Sequence, residues 1–214
     1  MRASELLSEG LNHPVIVVDV QPAYEQYNPQ VCQKIVDFVQ KQTGPVLMFV
    51  NAEQDGMTDD TIESIRYWWE EKAGVDYDEY DNDPAYTGPI NWNRFTIVDK
   101  GYGWFRPWMD QRVQPKFIIQ LIRYMYQHKL NDIRDDIDGV YQYMTHNPVG
   151  NEIVDWQDWM EDEPFVINWT SVAQLKRFNG AYLVGGGREE CLREVELLMN
   201  AFNIRYKRID SLVY

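Results

Sequence analysis

The chain is short of thiols, of histidine and of positive charge. It has two cysteines, Cys32 and Cys191, in 214 residues, so no disulfide framework is expected and both thiols should be free in a reducing compartment. It has three histidines, His13, His128 and His146. Lys and Arg number 20 against 34 Asp and Glu, a net charge of -14. That balance lacks the basic footprint of a plain nucleic-acid binder. Long apolar runs are missing too: none approaches the ~18 residues of a membrane span, and no signal-peptide pattern opens the chain. The expectation is a cytoplasmic protein with no membrane and no nucleic-acid partner.

What is present is apolar and aromatic. Hydrophobic residues make up 44% of the chain and aromatics 14%, enough for one sizeable core and for aromatic-lined surfaces. The acidic excess reads either as a solubility feature or as a mimic of nucleic-acid charge that occupies a partner. Short apolar runs suited to buried strands fall near residues 15–19, 45–51, 94–99 and 181–185, with an edge strand near 204–209. Helical spacing appears over 29–42, along Ile62, Ile65 and Trp69, over 115–129 and 132–144, near 171–178, and after Cys191. Asp59 or Asp60 is placed to cap the helix that follows. Residues 75–92, rich in acids and tyrosines, read as a surface loop. Strands alternating with helices predict a parallel sheet.

Three strand ends carry candidate chemistry. Val15 to Val18 run into Asp19, and the carboxyl ends of such strands are where open α/β sheets bind ligands; Asp19 otherwise reads as a cap on the next turn. Lys100 closes the third strand and is followed by Gly101, Tyr102, Gly103, Trp104 and Phe105. It is either a solvated lysine or part of a pocket walled by those aromatics. The stretch AYLVGGGREEC, Ala181 to Cys191, reads as strand, glycine turn and helix start. A thiol in the first helical turn meets free N–H groups and the positive end of the helix, which lower its pKa. Cys32, among apolar positions, reads as a packing residue. The glycines do not fit a dinucleotide fingerprint, since Glu190 stands where the third glycine belongs, and no Lys-Ser or Lys-Thr follows to make a phosphate loop.

VVDVQPAY, TIVDKGYGWF and AYLVGGGREECLREVELLMNAF, in that order, resemble the isochorismatase-like cysteine hydrolases. The resemblance covers under half the chain. It implies a single domain over 1–214, a three-layer α/β/α sandwich with a doubly wound, mostly parallel, Rossmann-like sheet. It also implies an Asp19–Lys100–Cys191 triad that hydrolyses a small amide or related C–N bond through a thioester, without a cofactor. Gln21 and Tyr24 match the first motif, and with Tyr102, Trp104, Phe105 and Arg188 they are expected in the substrate pocket; Arg188 facing solvent is the competing reading. A cis peptide is expected between Gly186 and Gly187, beside N–H groups that receive the oxyanion. Asn51 and Glu53 fall where metal-binding members carry ligands, so no metal is expected, with a weak hard-cation site at Glu53 the remaining alternative. Lys100 and Cys191 stand about twice as far apart as the resemblance leads one to expect. A helical insertion at approximately 110–170 accounts for this, as a lid, a homo-oligomer contact or a docking surface for a protein partner. The alternative function is a catalytically silent scaffold acting as an acidic protein-binding module or inhibitor.

Overall fold

The computed structural model describes residues 12–52, 59–76, 88–100, 104–110, 113–146 and 160–214. Five strands form one sheet: β1 (Val15–Val18), β2 (Val46–Val50), β3 (Phe95–Asp99), β4 (Ala181–Gly185) and β5 (Tyr206–Val213). Their order is β3-β2-β1-β4-β5 and all four pairings are parallel. The helices are α1 (Pro22–Glu25), α2 (Pro29–Lys41), α3 (Ile62–Lys72), α4 (Arg106–Asp110), α5 (Pro115–His128), α6 (Ile137–His146), α7 (Trp169–Arg177) and α8 (Cys191–Ala201).

The alternation of side chains along each strand builds two cores. Ile16, Val18, Leu47, Phe49 and Leu183 face one side, where they meet residues of α5, α6, α7 and α8. Val15, Val17, Val46, Met48, Tyr182 and Val184 face the other, against α2 and α3. The three inner strands are buried on both faces, which is why they read as unbroken apolar runs. The result is a three-layer α/β/α sandwich with a doubly wound sheet and extra helices.

Several local expectations are corrected. The helix after β2 is capped by Thr61, whose side chain accepts from the Ser64 N–H while the Ser64 hydroxyl accepts from the Thr61 N–H. Asp60 is occupied elsewhere: its carboxylate accepts from Gln21 Nε2 and the Ala23 N–H. The edge strand begins later and runs longer than its charge alternation suggests, so that Tyr214, just beyond it, returns to the middle of the sheet. Residues 132–144 open with a 3-10 turn, Ile133–Asp136, before α6. Among the described residues no helix is long and apolar enough to cross a membrane.

Helix α8 packs against α5. It is therefore enclosed on more than one flank: Cys191, Leu192, Glu194, Val195, Glu196, Leu197, Leu198, Met199 and Ala201 are all buried. The helical insertion thus covers a face of α8 that a plain sandwich would leave to solvent.

Candidate functional site

The strand order reverses beside β1: β2 lies on one side of it and β4, much later in sequence, on the other. The loops leaving β1 and β4 diverge at such a point and leave a crevice beyond the strands' carboxyl ends. A cavity of about 600 Å³ lies there, lined by residues that include Asp19, Tyr24, Arg106, Gly187, Cys191 and Tyr214.

Asp19 follows β1 directly. Its backbone is left-handed, φ 51°, a conformation that Asp tolerates better than most residues but still at some cost. Its N–H donates to the Phe49 carbonyl at 2.9 Å, and its own carbonyl accepts from the Tyr214 hydroxyl at 2.7 Å. The carboxylate is buried and sits 3.2 Å from Lys100 Nζ. Lys100, one residue past β3, has a fully buried side chain. Burial alone would drive its pKa down, but Asp19, Cys191 and Glu194 together outweigh this and hold it well above the ordinary lysine range. The ammonium is therefore a fixed positive charge behind the cavity.

Cys191 opens α8 and contributes to the cavity wall. The expectation of a lowered thiol pKa is overturned. Burial is the largest effect and raises it; the Asp19 carboxylate raises it further, and Lys100 only partly compensates. The resting sulfur is a neutral thiol beside a carboxylate, so thiolate character has to come from proton transfer. Glu190, next to Cys191 in sequence, pairs with Arg106 at 2.7 Å.

The glycine turn is also corrected. No peptide bond among the described residues is cis, so the Gly186–Gly187 bond is trans. Positive φ at Gly185 (126°) and Gly187 (66°) turns the chain instead. The Gly186 N–H donates to the Val18 carbonyl at 2.8 Å and is committed to the sheet. The Gly187 and Cys191 N–H groups donate to no backbone carbonyl among the described residues. The ring of Tyr214 lies against Gly186, so close that a Cβ there would stand 2.4 Å from it.

Of the expected pocket residues, Tyr24 and Arg188 reach the cavity. The Tyr24 hydroxyl accepts from Asn51 Nδ2 at 2.9 Å, and the Arg188 guanidinium pairs with Asp210 at 3.7 Å. Of the other four, Gln21, Trp104 and Phe105 are not among the lining residues and Tyr102 is not described. Gln21 is fully buried and ties β1 to β2, its Nε2 donating to the Asn51 carbonyl at 2.7 Å and its Oε1 accepting from the Asn51 N–H at 2.9 Å. Trp104 and Phe105 are core residues, Trp104 edge-on to Phe49 and Phe105 stacked on Phe165 with ring centroids 4.8 Å apart. Trp104 and Phe105 thus pack into the core on the side of the insertion and do not line the cavity. Tyr102 and Glu53 lie outside the described residues. Among the described residues no cluster of His, Cys, Asp and Glu could hold a metal ion.

Two neighbours were not anticipated. Tyr214 floors the cavity and holds Asp19. Glu194, one turn along α8 from Cys191, is completely buried, and its Oε1 accepts from the N–H groups of Trp104 at 2.9 Å and Phe105 at 2.7 Å. Burial pushes its pKa up from 4.5 to about 7, against the opposing pull of Lys100 and the two N–H groups. The folded protein then binds more protons at this carboxyl than the unfolded chain does between about pH 4.5 and 7. Its contribution to stability is greatest below that window and falls as pH rises through it, by about 3 kcal/mol. Denaturation of wild type and Glu194→Gln at about pH 4 and about pH 8 should show the variant gaining on wild type by that amount at the higher pH.

Comparisons of the chain with protein-family models, with curated proteins and with solved structures give no match.

Proposed function

We propose that the protein is a cysteine hydrolase of the isochorismatase-like kind, cleaving a small amide or related C–N bond. The observation that carries this reading is the buried Asp19–Lys100 ion pair, just beyond β1 and β3, with Cys191 at the start of α8 sharing the cavity lining with Asp19. The Asp19–Lys100 ion pair is dry, and the thiol beside it is neutral and borders the cavity.

A neutral thiol next to a carboxylate suits general-base catalysis. As Cys191 Sγ attacks the substrate carbonyl carbon, its proton passes to Asp19. The carbonyl π pair moves onto oxygen, and the N–H groups of Gly187 and Cys191 are the donors placed to receive that oxyanion. When the oxyanion collapses, the C–N bond breaks and the proton on Asp19 goes to the leaving nitrogen, giving a thioester and a free amine. Water then attacks the thioester, loses a proton to Asp19, and the sulfur leaves and recovers that proton. Lys100 stays charged throughout and keeps Asp19 in place. A free thiol nucleophile suits a reducing compartment such as the cytoplasm; both cysteines are free.

A panel of small amides, assayed by release of ammonia or amine, tests the reading. Wild type is expected to hydrolyse at least one of them, and Cys191→Ala to lose turnover by a factor of about 10³ or more. Turnover that survives in Cys191→Ala would exclude a thioester route. Failure of wild type on the whole panel would favour the acidic binding scaffold.

A further inference from the structure

We propose that Glu194 is a positioning residue of this site, one whose proton sets the charge of the Asp19–Lys100–Cys191 cluster; where it concerns turnover, the proposal rests on the hydrolase reading. The argument starts from placement. Glu194 follows Cys191 by three residues on α8, so both side chains leave the same helix face. Its Oε1 accepts from the backbone N–H groups of Trp104 and Phe105, four and five residues beyond Lys100. One carboxyl thereby ties the helix of the sulfur to the backbone of residues 104 and 105, a short way beyond the lysine. Its second oxygen, Oε2, is buried with no hydrogen-bond partner among the described residues. A purely structural clamp for two N–H groups does not need a second carboxyl oxygen in that place.

The ionisable groups acting on Glu194 come from three elements: Lys100 beyond β3, Asp19 beyond β1 and Cys191 on α8 itself. The 104–105 turn offers only its N–H groups, and the charged contact from α5, Arg123, goes to the Ala201 and Asn200 carbonyls at the far end of α8. With Glu194 protonated, the cluster holds one carboxylate, one ammonium and one thiol, and is neutral. With Glu194 ionised it gains a negative charge, and Lys100 is shared between two carboxylates. A thiolate or an oxyanion then has to develop against that extra charge. The carboxyl is thus a built-in brake that engages as its proton leaves. Glu194→Gln keeps the Oε1 acceptor and the shape, and fixes the group as neutral.

The experiment follows iodoacetamide alkylation of Cys191, located by peptide mass mapping, from about pH 5.5 to about pH 9 in wild type and Glu194→Gln. The variant is expected to react about three- to tenfold faster at the alkaline end, and the two curves to converge at the acid end. Curves that superimpose, or that differ by a constant factor at every pH, would overturn the proposal. Carbon-13 titration of the glutamate carboxyls in the wild-type protein is a second readout that does not depend on the variant folding. Glu194 is expected to titrate near neutrality, and a midpoint in the ordinary carboxylate range sinks the idea. Divergent alkylation curves in a protein that turns over no amide would remove the hydrolase reading and leave Glu194 standing. Amide turnover with superimposed curves would do the reverse.

Discussion

Asp19→Asn is expected to lower amide turnover by a factor of about 10² to 10⁴ while making Cys191 easier to alkylate. The two effects separate because the carboxylate acts on the thiol in two ways. As a negative charge it raises the thiol pKa, so removing it leaves Lys100 Nζ, otherwise 3.2 Å from Asp19 Oδ2, to stabilise a thiolate. The alkylation profile should move to lower pH. As a base, however, it is the group that takes the proton during attack and returns it to the leaving nitrogen, and asparagine can do neither. Lys100→Met should also lose turnover, but with the opposite alkylation profile, shifted to higher pH, because it removes the charge that lowers the thiol pKa. That variant also strands a buried carboxylate, which costs about 3 to 5 kcal/mol; a denaturation curve checks this directly. If both substitutions moved the alkylation profile the same way, the three groups would not form one electrostatic unit and the proposed mechanism would fail.

How far the sequence spoke for this arrangement depended on where each residue sits relative to the sheet. Asp19 and Lys100 were readable because each stands at the end of an apolar run, and Cys191 because it opens the helix after a glycine turn; the carboxyl ends of strands in a parallel sheet share one edge. The direction of the Cys191 pKa was not readable. Helix-end and lysine effects are local and visible in the chain, but burial is set by what covers α8, and that is the insertion. The same cover hides Glu194. CLREVELL looks like an amphipathic helix with its acids outward, yet Glu194 shares a face with Cys191 and Leu198, at i+3 and i+7, and this spacing was the available signal. Trp104 and Phe105 went astray for a related reason. Aromatics after a strand-end lysine fit a pocket wall or a core equally well, and only the insertion's Phe165, stacked on Phe105, decides between them. Tyr214 required the true length of β5. A strand ending near 209 would leave it remote, whereas Tyr206–Val213 brings it onto Gly186.

Gly185→Ala is expected to destabilise the protein by about 3 to 5 kcal/mol, combining backbone strain with overpacking. Gly185 is the last residue of β4 and pairs with Val18 at the end of β1, at the point where the strand order reverses. Its φ of 126° is one that L side chains rarely adopt, and a Cβ would stand 2.1 Å from the Val18 carbonyl oxygen. That oxygen also accepts the Gly186 N–H and belongs to the residue before Asp19. The two strands cannot separate to make room without breaking this bond and moving the carboxylate. Gly180→Ala is the matching control. Gly180 also has positive φ, 87°, but a Cβ there meets nothing within 4 Å, so only the conformational cost of about 1 kcal/mol applies. Chemical denaturation of both variants separates the two contributions, and equal losses would show that the close approach of β4 to β1 does not constrain the site. Because the obstructing atom lies one residue from Asp19, any Gly185→Ala protein that folds should also lose turnover, whereas Gly180→Ala should keep it.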